Sequence, residues 1–195
     1  MTSMTMCMQF ATSVRFGTGL AADGLDEVLD HEQPISSAAI KGVFRDEARW
    51  LLPGTDDRDH PFVMSVFGGP QGEQCPWNFQ VTQPSTVRYQ SRASIRLGAD
   101  GVVCPGALHI KQEATMGPAT LEVTQRSALP DCGFRLCPGT RLVDYHMALI
   151  HLAGRAVEKV GQRRTRGMGW VSISCPARSV QDDLVLIWQL REVVQ

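Results

Sequence analysis

The stretch Val160-Gly161-Gln162-Arg163-Arg164-Thr165-Arg166-Gly167-Met168-Gly169-Trp170 joins a strongly periodic apolar segment to a short β-prone run. Upstream, Leu142, Tyr145, Leu149, Leu152, Ala156 and Val160 recur at helical intervals. They predict a helix over 141–160 with one buried stripe and Gly161 at its C-terminal cap. Downstream, 170–174 reads as a strand. Glycines at 161, 167 and 169 permit backbone conformations closed to other residues and let another chain come into contact. Successive amides in such a turn form a nest for anions, and Arg163, Arg164 and Arg166 add forked donors suited to phosphate. The same composition also fits a plain solvated basic turn. It does not fit the Walker-type phosphate loop, which needs Gly-Lys-Ser/Thr ahead of a helix, so nucleotide hydrolysis is disfavoured.

Working outward, 5–16 alternates loosely as a first strand and ends in Ser13-Val14-Arg15-Phe16-Gly17. The Gly- and Asp-rich segment 17–34 is long for a simple connection, which points to a functional loop. Ser36 or Ser37 can cap a helix from Ala38, with Ile40, Val43, Phe44, Ala48 and Leu51 on its buried stripe and Lys41, Arg45 and Arg49 on another face. Pro53-Gly54 ends it. The apolar segment 61–69 reads equally as a helical turn or a strand. Further strands are expected at 77–82, 86–97, 102–110 and 119–124, with a closing strand at 184–194. This order predicts an α+β protein: a ferredoxin-like (RRM-like) βαββαβ core in one domain over 1–195, carrying an insertion at about 54–139.

A chain of 195 residues with 43% hydrophobic content can bury a real core. No stretch approaches the roughly 20 apolar residues of a membrane span, so no membrane partner and a cytoplasmic location are expected. Nineteen Lys and Arg against 20 Asp and Glu exclude a uniformly basic nucleic-acid binder but not one basic face. Acidic residues gather at 23–30 and 56–59, and the densest basic run is 163–166. Cys7, Cys75, Cys104, Cys132, Cys137 and Cys175 are scattered, with only Cys132 and Cys137 close together. Reduced structural thiols are therefore expected, with a zinc site as the alternative. The histidines lack metal-ligand spacing: His146 and His151 are five apart, not four. Trp50, Trp77, Tyr89 and Trp170 are candidates either for stacking on bases or for the core.

Arg166-Gly167-Met168-Gly169 resembles the glycine-rich loop of the RAMP superfamily of CRISPR-associated RNA-binding proteins, of the form Arg-Gly-hydrophobic-Gly near the carboxyl end. Phe16-Gly17-Thr18-Gly19, the Asp-rich loop, and Pro34-Ile35-Ser36-Ser37-Ala38-Ala39-Ile40-Lys41-Gly42-Val43-Phe44-Arg45 resemble that family's strand, loop and helix start. Val66-Phe67-Gly68 resembles its Leu-Phe-Gly landmark after that helix. The pattern is most similar to the backbone subunits of type III CRISPR effector complexes.

That resemblance implies a guide-RNA-binding subunit of an antiviral ribonucleoprotein, with guide RNA, complementary target RNA and other effector subunits as partners. It implies phosphate contacts at Lys41, Arg45, Gly161, Gly167 and Gly169, supported by Arg163, Arg164 and Arg166, and a β-hairpin thumb at 96–116. Relatives that cut target RNA use an aspartate in the loop before the first helix. Asp23, Asp26 and Asp30 stand there, Asp26 and Asp30 being the catalytic candidates, with Mg2+ as cofactor if the protein is a ribonuclease. The loop lacks those relatives' Asp-x-Pro-Val-x-Arg-Asp-Pro run, so a non-enzymatic subunit is the leading expectation. A guide-precursor ribonuclease using His31 as general acid or base is one alternative. A ferredoxin-like interaction domain without an RNA role is another.

Overall fold

The computed structural model describes residues 2–22, 24–55, 58–70, 72–131, 133–134, 136–162 and 167–192. In chain order its elements are β1 (Ser3–Phe10), α1 (Ser37–Leu51), α2 (Pro61–Phe67), β2 (Trp77–Thr82), β3 (Val87–Ser94), β4 (His109–Met116), β5 (Ala119–Gln125), α3 (Leu142–Ala156), β6 (Val171–Ser174) and α4 (Val180–Glu192).

Period-two burial builds the main sheet. Met4, Met6 and Met8 of β1, Trp77, Phe79 and Val81 of β2, Leu121 and Val123 of β5, and Val171 and Ile173 of β6 all face inward. These strands lie in the order β2-β5-β1-β6, every neighbouring pair antiparallel, with Met6 opposite Leu121, Phe79 opposite Val123 and Met8 opposite Ile173. The protein is thus mixed α+β, and this order is consistent with the expected ferredoxin-like core. The opposite face carries Thr5, Cys7, Asn78, Gln80, Thr82, Glu122 and Ser172. Among the described residues of these strands, this face carries no aromatic side chain on which a base could stack.

Helices cover the apolar face. Ser36 caps α1 by accepting the Ala39 amide at 3.2 Å, and Ile40, Val43, Phe44 and Ala48 form the buried stripe foreseen from the spacing. Helix α3 crosses close to it. A Cβ on Gly154 would lie 2.8 Å from the Phe44 ring, so the glycine sets that approach. The ambiguous segment 61–69 is helical as α2: Pro61 sits at its start, His60 Nδ1 accepts the Phe62 amide at 3.1 Å, and Gly68 ends it at φ 88.

Four expectations need correction. The closing strand at 184–194 is instead part of α4. Its apolar residues look β-prone one by one, but Asp183, Ile187 and Leu190 are buried at helical spacing against α3, and Asp182 and Asp183 favour a helix start. The strand expected at 102–110 is mostly the tip of a two-stranded hairpin, with β3 and β4 paired from Val87↔Met116 to Ser94↔His109. That hairpin begins at Val87 rather than Arg96. Helix α3 ends at Ala156, not at Val160, because Val157 turns extended and Lys159 pairs with Trp170. Gly161 therefore serves the following turn and not a helix cap.

Cys7, Cys75, Cys104, Cys137 and Cys175 are free thiols, and Cys132 lies outside the described residues. Among the described residues, no group of three or more His, Cys, Asp or Glu is placed to hold a metal ion, and no helix is long and apolar enough to cross a membrane.

Candidate nucleic-acid interface

Three segments emerge at one end of the main sheet. Phe10 at the end of β1 pairs with Val171 at the start of β6, and Thr82 at the end of β2 pairs with Thr120 near the start of β5. At that end α1 begins, held where Ser37 Oγ accepts the Val81 amide at 3.1 Å and the Gln83 side chain brackets Ile35 through its amide and carbonyl. The hairpin leaves from there too, since β3 follows β2 and β4 precedes β5. So does the glycine-rich turn, which enters β6 through the Lys159–Trp170 bridge. Lys41, one turn into α1, thus belongs to the same end as Gly161, Gly167 and Gly169.

The turn is seated by backbone. Gln162 N donates to Arg15 O at 2.8 Å, Gly169 N to Ser13 O at 2.9 Å, and Val160 N to Gly169 O at 2.9 Å. A Cβ on Gly161 would meet Arg15 O at 2.5 Å, and one on Gly169 would meet Val160 O at 2.0 Å; both glycines have φ 79. Gly167 also has positive φ, but it faces open space. Arg163, Arg164 and Arg166 lie outside the described residues.

Beneath the turn sits a residue that sequence reasoning missed. Glu27 is 6% exposed, receives Lys111 Nζ at 2.7 Å and Gln162 Nε2 at 2.9 Å, and leaves no room for a side chain on Gly17. Burial pushes its carboxyl up. The hydrogen bonds from Lys111 and Gln162 and the charges of Lys111 and Arg15 outweigh that and hold it below the usual carboxylate range. In sequence it was one acid in an acidic loop, and nothing local set it apart. The structure sets it apart because that loop runs along β4: Asp26 N donates to Ile110 O at 2.8 Å and Gln112 N to Glu27 O at 3.1 Å.

The catalytic candidates in this loop have other duties. Asp26 Oδ2 accepts the Ile110 amide at 2.6 Å and lies 3.8 Å from His109 Nδ1, while Asp30 Oδ1 accepts the amides of Glu32 and Gln33. Asp23 is outside the described residues. Among the described residues, Asp26 and Asp30 belong to no group of three or more His, Cys, Asp or Glu. The His31 ring stacks on Tyr89 at 4.0 Å and its Nε2 is 3.1 Å from Gln112 Oε1, which makes it a brace between loop and hairpin.

Arg45 turns away toward α2. Its Nη2 and Nε hold Asp59 Oδ2 at 2.6 and 3.0 Å, and Arg49 Nε holds the other oxygen at 2.6 Å. Together they line a cavity of about 480 Å³ with Arg58, Met64 and Glu73. Of the aromatic candidates, Trp77 is core and donates to His146 Nδ1 at 3.1 Å. Trp50 and Trp170 are exposed, Trp170 beneath Lys159 Nζ at 4.1 Å. The hairpin tip exposes Ile95, Leu97, Val102, Val103 and Leu108.

No protein-family model and no curated protein matches the sequence. Solved structures do match the architecture. A chain of the type III-B Cmr-beta complex bound to cognate target RNA superposes with a TM-score of 0.59 at 10% identity, covering 94% of this chain and 99% of that one. A chain of type III-B Cmr-beta in the apo state gives 0.62 at 11% identity over 89% and 97%, and a chain of a type IV-B CRISPR complex gives 0.54 at 14% over 92% and 96%. At such identities the likeness is one of fold: the chain has the architecture found in chains of type III-B and type IV-B CRISPR complexes. The resemblance to CRISPR effector-complex subunits read from three short motifs agrees with this likeness of fold.

Proposed function

We propose that this chain is a ferredoxin-like RAMP subunit that holds guide RNA in a type III-like, cytoplasmic CRISPR ribonucleoprotein. Its partners are complementary target RNA and the other effector subunits. The observation that carries the reading is the convergence, at one end of the main sheet, of the start of α1 with Lys41, the glycine-rich turn, and the root of the β3–β4 hairpin. Likeness of fold to chains of two type III-B complexes, one of them bound to cognate target RNA, supports it.

In this reading Gly161 and Gly169 seat the turn on residues 13–15, the turn presents Gly167 with Arg163, Arg164 and Arg166 to successive phosphates, and Lys41 adds a second point of charge. Arg45, bound to Asp59, contributes from behind and not by direct grip. The hairpin acts as a thumb, its apolar tip fitted to lie among bases, and sequence specificity is left to guide pairing. The engagement of Asp26 and Asp30 by neighbouring amides favours binding without cleavage.

The test is RNA binding measured across salt concentration. Changing Arg163, Arg164 and Arg166 together to Ala should weaken binding about equally for all sequences. It should also flatten the slope of log affinity against log salt by about 2, given roughly 0.7 per phosphate contact on a single strand. An unaltered slope, or a purified complex free of nuclease-sensitive RNA, would sink the proposal.

A further inference from the structure

Three segments distant in sequence meet at Glu27: residues 15–27, β4 and the glycine-rich turn. Its Oε1 accepts Gln162 Nε2 at 2.9 Å, and its Oε2 accepts Lys111 Nζ at 2.7 Å. Gly17 presses on it so closely that a Cβ would fall 1.8 Å from Oε1. The backbone repeats the link, since Gln162 N donates to Arg15 O at 2.8 Å and Arg15 Nε to Gln112 O of β4 at 2.8 Å. Residues 13–14 add a backbone tie between the same two elements, since Gly169 N donates to Ser13 O at 2.9 Å and Val14 N to Ala114 O of β4 at 2.8 Å.

We infer that Glu27 is the positioning residue of this interface: one buried carboxylate holds Gln162 of the glycine-rich turn and Lys111 of β4 in a single frame. The phosphate grip and the thumb hairpin are thereby kept in a set relation. The inference rests on the RNA-binding reading above and names how that site is ordered. A carboxylate suits the task because it offers two acceptor oxygens, one for each donor, whereas an amide offers one. Its negative charge does not oppose an approaching phosphate, because Lys111 binds it directly and Arg15 lies nearby. A bare polar contact would hold the turn less firmly, since hydrogen bonds to a charged acceptor are about twice as strong as neutral ones.

Gln162→Ala gives the cleanest test, because it cuts the arm to the turn and leaves the Glu27–Lys111 pair in place. Glu27→Gln cuts deeper, and the exchanged pair Glu27→Gln with Gln162→Glu restores a carboxylate–amide contact with the roles reversed. For the full-length chain, three quantities are measured: affinity for single-stranded RNA, hydrogen exchange at the amides of 161–162 and 167–169, and the thermal midpoint. Gln162→Ala should lower the midpoint by only a few degrees, speed exchange in the turn, and weaken RNA binding about fivefold, the worth of one hydrogen bond. The exchanged pair should recover affinity. If the parent chain binds RNA and Gln162→Ala changes neither affinity nor exchange, the inference is overturned. It is equally overturned if affinity falls only together with the midpoint and the exchanged pair recovers nothing. If the parent chain binds no RNA, the functional reading fails by itself. Turn exchange then decides the positioning role: faster in Gln162→Ala upholds it, unchanged removes it.

Discussion

His151 Nδ1 of α3 lies 2.6 Å from Asp183 Oδ2 of α4, their side chains only 1% and 4% exposed. Arg178, just ahead of α4, holds the same carboxylate through Nε and Nη2. The last helix is therefore fastened by a buried, fully engaged carboxylate as well as by Ile187 and Leu190. Asp183→Ala leaves His151 and Arg178 without their shared acceptor and should cost about 3–5 kcal/mol. Denaturant unfolding measures the loss, and faster amide exchange confined to 180–192 would identify undocking of α4.

His146 is wholly buried, with Trp77 Nε1 donating to its Nδ1 at 3.1 Å and Ser65 Oγ 3.4 Å from its Nε2. The Trp77 bond requires Nδ1 as acceptor, so the ring is the neutral Nε2–H tautomer. Burial pushes its pKa down to about 4, and burial also lowers that of His60. The unfolded chain then takes up protons that the folded chain refuses. Stability is full above the unfolded value of about 6.5 and falls as pH drops toward 4. His146 alone contributes a loss of about 3 kcal/mol across that window. Urea midpoints at pH 7 and 4.5 should differ in this sense, and His146→Gln should reduce the difference.

Two glycines of the same turn should respond unequally to alanine. Gly169→Ala drives a Cβ to 2.0 Å from Val160 O at φ 79, so the turn must leave its seat on Ser13. A cost above about 2 kcal/mol is expected. Gly167→Ala meets nothing within 4 Å and carries only the positive-φ penalty, about 1 kcal/mol. Thermal midpoints rank the two, and equal effects would mean that the turn is not held against residues 13–15.

Asp26→Ala with Asp30→Ala removes acceptors for the amides of Ile110, Glu32 and Gln33. The Asp26 contact braces the loop against β4 and the Asp30 contacts shape the loop's own turn, so the double variant should loosen the loop while any target-RNA cleavage by the assembled complex continues unchanged. Loss of cleavage with guide binding intact would transfer the nuclease to this chain.

How far the sequence could be read depended on whether its signal was local. The α1 stripe and its Ser36 cap were legible because capping and 3.6-residue periodicity are properties of neighbours along the chain. The inward alternation of β2 and β5 was legible for the same reason. The segment 184–194 was misread because Val185, Ile187 and Trp188 have strand propensity, and only docking against α3 selects the helical period. Arg45 looked like a partner of Lys41 on one helix face, yet Asp59 captures it from 14 residues away.

By itself the sequence determined the elements whose causes are local: the α1 stripe and its cap, the alternating strands β2 and β5, the glycines that permit the turn, and the motif order pointing to a RAMP-like architecture. Tertiary structure decided which charges are available and which are already engaged. On paper Asp26 was a catalytic candidate, Arg45 a phosphate contact and Glu27 one acid among several, and their structural roles appeared only when Ile110, Asp59 and Lys111 were brought against them. A charge's role depends on its partners and its access to water, and folding supplies both across separations that no short window of sequence contains.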